Sequence, residues 1–380
     1  MKTSRLSLNQ FSSLLVLFLS SSATLVNVGR FSGADVWISL LISAVLGTLL
    51  FTMYYRIGKL HQFDSLSGIL TDLFGKFFGS LILIAYSGYF LLMTASLLKS
   101  TADVIEVTLM VDANMILIML LLMVPIVYGL ILGVNAIGRS AELLFYVVII
   151  CFIPLLIAVF TSDIFSFDRF LPILEKGFSP LKQNIYTMTL FPYGESIVFL
   201  TIFPLLPKTG KGKILSYGCW AIVLATVILL AADVMCVGIL GVGLMKNFIY
   251  PFFNAMKMVG VNVLFERLDP LAIIIVMMTC FFKLSLYFYA GLSCIEKLIR
   301  RFSYRQLAFP FSVLIIFIAM HLTTGGVEDI YQAILNHPKN LLPIFQLVIP
   351  SIVWMLSEFK YHNHVKQLKT EAHNKMYPRE

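Results

Sequence analysis

Phe191-Pro192-Tyr193-Gly194-Glu195 lies near the middle of an apolar run at 184–206, and its reading decides the fold. Pro192 removes an amide donor, Gly194 permits dihedrals outside the helix, and Glu195 places an ionisable group at membrane depth. Hydrocarbon offers backbone groups no partner, so an interrupted helix is tolerated only where the freed backbone lines a cavity inside the protein. A turn is therefore expected to unwind around Pro192 and Gly194. Ser20-Ser21-Ser22-Ala23-Thr24, in the run at 9–28, reads as a second interruption: small hydroxylic residues that allow close approach and present oxygens. Small residues of this kind also pack helices against one another.

The composition around these stretches is that of a chain dissolved in lipid. Of 380 residues 59% are hydrophobic and only 13% charged, with a mean hydropathy of +0.91. Soluble domains carry about a quarter charged residues. Reading apolar runs against the ~20-residue length of a membrane-crossing helix gives ten spans. They fall at 9–28, 34–55, 78–98, 113–132, 143–161, 184–206, 214–243, 271–295, 307–324 and 340–358. The fold class is thus an all-α polytopic membrane protein forming a single integral membrane domain, with a polar tail at 359–380.

Basic residues retained in cytoplasmic loops set the orientation. With the N-terminus inside, eighteen Lys and Arg residues lie on the inner side and nine on the outer, leaving Lys283 within a span. Both termini are therefore expected in the cytoplasm. The net charge of +8 comes from these loops and the tail, which argues against a nucleic-acid surface. The run after Lys2 and Arg5 has no small-residue cleavage site and reads as a retained first helix rather than a signal peptide.

The two interruptions fall in the first helix of each five-helix half. That is the pattern of a 5+5 inverted repeat, here 9–161 and 184–358, with broken first and sixth helices around a mid-membrane solute site. Candidate ligand-binding residues are Ser20, Ser21, Ser22, Ala23 and Thr24 with Phe191, Pro192, Tyr193, Gly194 and Glu195. Freed amides would receive a carboxylate, and carbonyls with Glu195 an ammonium. Glu195 could equally lock the broken backbone. Two further ionisable groups lie within spans, where each must face the protein interior. Lys283 supplies a fixed positive charge at a possible cation site, or pairs with Glu195 or Asp233; Asp233 pairs with a lysine or a hydroxyl.

Other chemistry is absent from the sequence. There is no nucleophile elbow, phosphate-binding loop or zinc-protease motif, so no enzyme and no cofactor is expected. The five cysteines lie in apolar segments without metal-ligand spacing, and His362 with His364 reads as a solvated face, so no metal site is expected. Two outer loops, at 161–183 and 245–270, are longer than turns. In the second, Phe252, Phe253, Met256, Val259 and Val263 recur at helical spacing, as in an interfacial helix or a loop helix packed on the bundle.

Several further stretches occur in a specific order. They are Gln10; Asp35-Val36-Trp37-Ile38-Ser39; Gly133, Arg139 and Glu142; Phe170-Leu171-Pro172; Phe191-Pro192-Tyr193-Gly194-Glu195; Tyr250-Pro251; Phe265-Glu266-Arg267-Leu268; and Lys283, Tyr287 and Ala290. Together they make the chain resemble the spore germination permease family, the B-subunit type of nutrient germinant receptors. The departures are Val28-Gly29-Arg30 after the first helix and Asp112-Ala113 at the fourth span. The resemblance implies the amino acid, polyamine and organocation transporter fold and a place in a three-subunit receptor of the spore inner membrane, beside an A-type membrane subunit and a C-type lipoprotein. It also implies a small nutrient ligand such as an amino acid. The alternative is a stand-alone secondary amino-acid transporter.

Overall fold

In the computed structural model, which describes residues 6–110, 113–175, 177–259, 268–322 and 340–376, each of the ten apolar runs is mainly helical over its described residues. Eight of the described helices are long and apolar enough to cross a membrane. The other two expected spans, the sixth and the tenth, are the segments whose helix changes type along its length.

α1 (Leu8–Val26) opens with a capping box: the Ser7 hydroxyl accepts from the Gln10 amide, and the Gln10 side chain accepts from the Ser7 amide. It does not break at the serines. Ser20 Oγ donates to the Val16 carbonyl and Thr24 Oγ1 to the Ser20 carbonyl, each at 2.7 Å, and hydroxyls returned to their own helix leave it helical. The interruption comes just after Val26, at Asn27, whose left-handed backbone (φ 48°, ψ 69°) suits asparagine. A 3-10 segment, Val28–Asp35, then leads into α2 (Val36–Leu60).

The sixth span breaks as expected but not at the expected residue. α6 (Ser179–Met188) passes into a π turn, Thr189–Tyr193, and then into 3-10 helix at Gly194–Thr201 and Phe203–Leu205. Phe191, with φ −126° and ψ 105°, is the residue that leaves the helix, because the following proline ring disfavours its helical conformation. Gly194 is helical (φ −62°, ψ −27°). What requires glycine there is space: a Cβ would stand 2.4 Å from Gln346 Oε1.

α3 (Leu66–Thr108) turns at Gly75 (φ 74°) and is followed by α4 (Met115–Leu132) and α5 (Val134–Phe160). After the sixth span come α7 (Ile214–Asn247), α8 (Pro251–Met258), α9 (Asp269–Ile299), α10 (Tyr304–His321) and α11 (Ile349–Met376). The intended tail therefore continues α11 as helix through Met376. A π turn, Ile344–Val348, precedes α11 and is the tenth span's own irregularity.

Burial sorts these helices into centre and rim. The most apolar stretch of α1 is 78% buried and that of α9 72%, against 28% in α4 and α5. The rim helices turn Leu117, Val124, Tyr146, Ile150, Phe309 and Phe317 outward, as a lipid-facing surface requires. Interrupted segments thus lie inside the ring and regular helices form it. Of the two readings of the 245–270 loop, the packed one holds: Phe252, Phe253, Met256 and Val259 are buried, while Val263 lies outside the described residues. In the 161–183 loop, Arg169 donates to the carbonyls of Gly238 and Ile239, just before α7 turns at Gly241 (φ 68°).

Candidate functional site

α1 and the sixth-span break meet at α9. Lys283, 1% exposed, donates to Glu195, also 1% exposed, and to Ser22 Oγ at 2.5 Å. Its ammonium lies over the rings of Phe191 and Phe18, 4.8 and 4.9 Å from their centroids. One cation therefore joins α1, the broken sixth span and α9. Removing charge from water costs several kcal/mol per ion, and this pair is compensated by opposite charge, a hydroxyl and aromatic faces together. Of the alternatives open to Lys283, the ion pair with Glu195 is realised, and Asp233 makes no ion pair among the described residues.

A cavity of about 40 Å³ lies against this pair. Its walls are Ser22 and Leu25 from α1, Met93, Ser96, Leu97 and Ser100 from α3, Phe191 and Glu195, Lys283 and Tyr287 from α9, and Leu342. It has room for roughly three waters. The Tyr287 hydroxyl is buried without a protein hydrogen-bond partner. A buried, unpaired donor costs about 1–3 kcal/mol, so this wall has capacity for a polar group of a ligand.

The remaining candidates are arranged differently. Tyr193 is fully buried with its hydroxyl 2.8 Å from Thr226 Oγ1, which ties the break to α7 and keeps that ring out of the cavity wall. Ser20 and Thr24 spend their hydroxyls on α1, and Ser21 donates to Cys280 Sγ at 3.5 Å. Ala23, Thr24, Phe191, Pro192 and Asp233 line a second space of about 10 Å³ on the other side of the break. Gly194 and its neighbours are held from behind. Tyr54 Oη lies 3.1 Å from the Gly194 carbonyl and 2.6 Å from that of Gln346, and Gln346 Nε2 donates to Tyr89 Oη at 2.8 Å.

Tyr54, Tyr89, Gln346, Ser96 and Ser100 were not singled out from the sequence. Gln346 carried a readable signal, a lone amide within an apolar run, since polar side chains at membrane depth face the bundle interior. The tyrosines and serines did not stand out from their spans.

The model of the family described as spore germination protein matches residues 5–327. Among relatives, spore germination protein KB of Bacillus subtilis (strain 168) is 26% identical over 378 residues, covering 98% of this chain and 100% of the relative. Spore germination protein YndE of the same organism is 23% identical, covering 83% of this chain and 86% of that protein. Solved structures with the same fold include MhsT in complex with L-phenylalanine, at a TM-score of 0.63 and 13% identity, covering 93% of this chain and 95% of that one. A manganese transporter of Eremococcus coleocola also has a TM-score of 0.63 at 14% identity, covering 98% and 88%. Helices that span a membrane, transporter-like architecture and a family match over most of the sequence agree, and this chain belongs to the spore germination protein family.

Proposed function

We propose that this chain is the transporter-like B subunit of a spore nutrient germinant receptor, binding a small zwitterion, an amino acid or a similar nutrient, between α1, the sixth-span break and α9. The observation that carries the reading is the buried Glu195–Lys283 pair beside a cavity wall with an unpartnered Tyr287 hydroxyl. A zwitterion brings the same two charges as the internal pair. Its ammonium can take Glu195 and its carboxylate Lys283, so the internal pair opens without leaving either charge bare. Phe191 and Leu25 would then meet the nutrient's side chain.

A cavity of about 40 Å³ is smaller than an amino acid, so binding requires α1 or the sixth span to move. That movement is the signal: a ligand with higher affinity for the opened arrangement shifts the population toward it, and partner chains respond. The partners proposed are an A-type membrane subunit and a C-type lipoprotein in the spore inner membrane, with both termini of this chain in the cytoplasm. The repeat halves at 9–161 and 184–358 supply the two broken helices. The likeness to the manganese transporter of Eremococcus coleocola favours the second reading, a stand-alone transporter that turns solute over by alternating access.

Dependence on partners separates the two. Abundance of this chain is measured in spores with and without the neighbouring subunits, beside uptake by the purified chain in vesicles. Loss of the chain without its partners supports the receptor, and solute uptake by the chain alone supports the transporter.

A further inference from the structure

Asp233 is a buried carboxyl in α7, 7% exposed, that the site above does not use. It makes no ion pair among the described residues, and a polar side chain beside it is that of Asn27, the left-handed residue that ends α1. Asn27 Oδ1 is itself buried without a protein partner. Gly29 lets the carboxyl come close to the break: a Cβ there would stand 3.2 Å from Asp233 Oδ2. The space of about 10 Å³ that Asp233 lines with Thr24, Gly29, Phe191 and Pro192 lies between both interruptions and holds about one water.

Among the described side chains, the groups facing this carboxyl offer it no positive charge. From the sixth span comes Tyr193, whose hydroxyl is spent on Thr226. Its own helix contributes Cys236, and α2 contributes apolar Leu40. From α1 comes neutral Asn27, and Lys283 of α9 is committed to Glu195 and Ser22. An isolated carboxylate in such surroundings costs far more than a neutral acid. No group of three or more His, Cys, Asp or Glu among the described residues converges to hold a metal ion.

We propose that Asp233 is a proton-binding site seated between the two helix breaks, occupied in this closed arrangement and emptied when the breaks part. A protonated Asp233 supplies the O–H donor that Asn27 Oδ1 lacks, while the Asn27 amide N–H donates to the other carboxyl oxygen. The reciprocal acid–amide pair satisfies both side chains. When α1 moves at Asn27, water enters the small cavity, takes the proton and solvates the carboxylate left behind. Proton occupancy and the position of the break are then linked, and each shifts the other. This rests on the geometry around Asn27 and does not depend on the germinant-receptor reading.

The test is infrared spectroscopy of the purified full chain in lipid, titrated from mildly acidic to mildly alkaline pH. At neutral pH the wild type is expected to show the carbonyl stretch of a protonated acid. Asp233→Asn should lose that band, and Glu195→Gln should keep it. Asn27→Ala, which serves should Asp233→Asn fail to accumulate, should move the band to higher frequency through loss of its hydrogen bonds. Wild-type and Asp233→Asn spectra that coincide in this region would overturn the proposal, as would an unmoved band in Asn27→Ala. So would disappearance of the band on adding sodium at constant pH, which would make the site one for a metal cation.

Discussion

Lys283 donates to Glu195 and, at 2.5 Å, to Ser22 Oγ, so that one α9 ammonium fastens α1 to the sixth-span break. The contact makes the closed arrangement and the proposed ligand chemistry two uses of the same charges.

Removing one member of the pair should be far more damaging than removing both. Lys283→Met leaves Glu195 buried and unpaired, which typically costs about 3–5 kcal/mol. Adding Glu195→Gln should restore most of that loss, because a neutral amide in the same place needs no counter-charge. Thermal unfolding of the purified chain measures both. A double variant no more stable than Lys283→Met alone would contradict the pairing.

Two glycines in spans should respond oppositely to alanine. A Cβ at Gly47 of α2 would stand 2.3 Å from the Tyr193 Cβ, against the sixth-span break, whereas one at Gly88 of α3 meets nothing within 4 Å. Gly47→Ala is expected to cost about 1–3 kcal/mol through overpacking, and Gly88→Ala to gain up to about 1 kcal/mol of helix propensity. Equal effects on melting temperature would show that α2 does not press on the break.

The physics that made part of this legible also explains what was not. Lipid demands long apolar runs, and helices as peripheral as α4 and α5 carry that demand along most of their length, so they could be read directly. A proline in a span disturbs its predecessor, so the sixth-span break was legible from Pro192, although the departure falls on Phe191 and not on Gly194. Serines proved ambiguous because the same hydroxyl can face a cavity or its own helix; Ser22 lines the cavity and accepts from Lys283, whereas Ser20 and Thr24 return their hydroxyls to α1. Asn27 marks the true end of α1, but a left-handed asparagine has no periodicity to betray it. Tyr54 and Gln346 bear on the break from spans 140 or more residues away, a pairing visible only once the chain is folded.

The expected topology has a direct check. Reporters fused after Lys208 and after Asp168 should report opposite sides of the membrane, with Lys208 in the cytoplasm among the basic loops. Reports from the same side would refute an even number of spans with both ends inside.

At the end of α2, His61 lies 2.9 Å from Ser357 Oγ and 3.3 Å from Asp72, helping to fasten α11 to α2 and α3. Burial pushes its imidazole below the ordinary histidine value of 6.5, although Asp72 pulls the other way. A group whose folded value is lowered contributes stability above its unfolded value and loses it as pH falls below that value. Unfolding followed from neutral to acidic pH should therefore show a loss of stability below about pH 6.5 that His61→Gln reduces. An identical acid limb in wild type and variant would remove His61 from that account.

The central claim is that a polar nutrient binds in the cavity between Ser22, Phe191, Glu195, Lys283 and Tyr287, and Tyr287→Phe tests it most directly. That hydroxyl makes no protein hydrogen bond in the closed arrangement, so its removal should leave abundance and melting temperature unchanged or slightly improved. A ligand that uses it loses about 1.4 kcal/mol, or tenfold in affinity. The measurement is the nutrient dose-response of spores carrying the variant, with protein level followed alongside. The account expects a half-maximal concentration about tenfold higher at normal abundance. An unchanged half-maximal concentration at normal abundance would contradict it and place the ligand elsewhere.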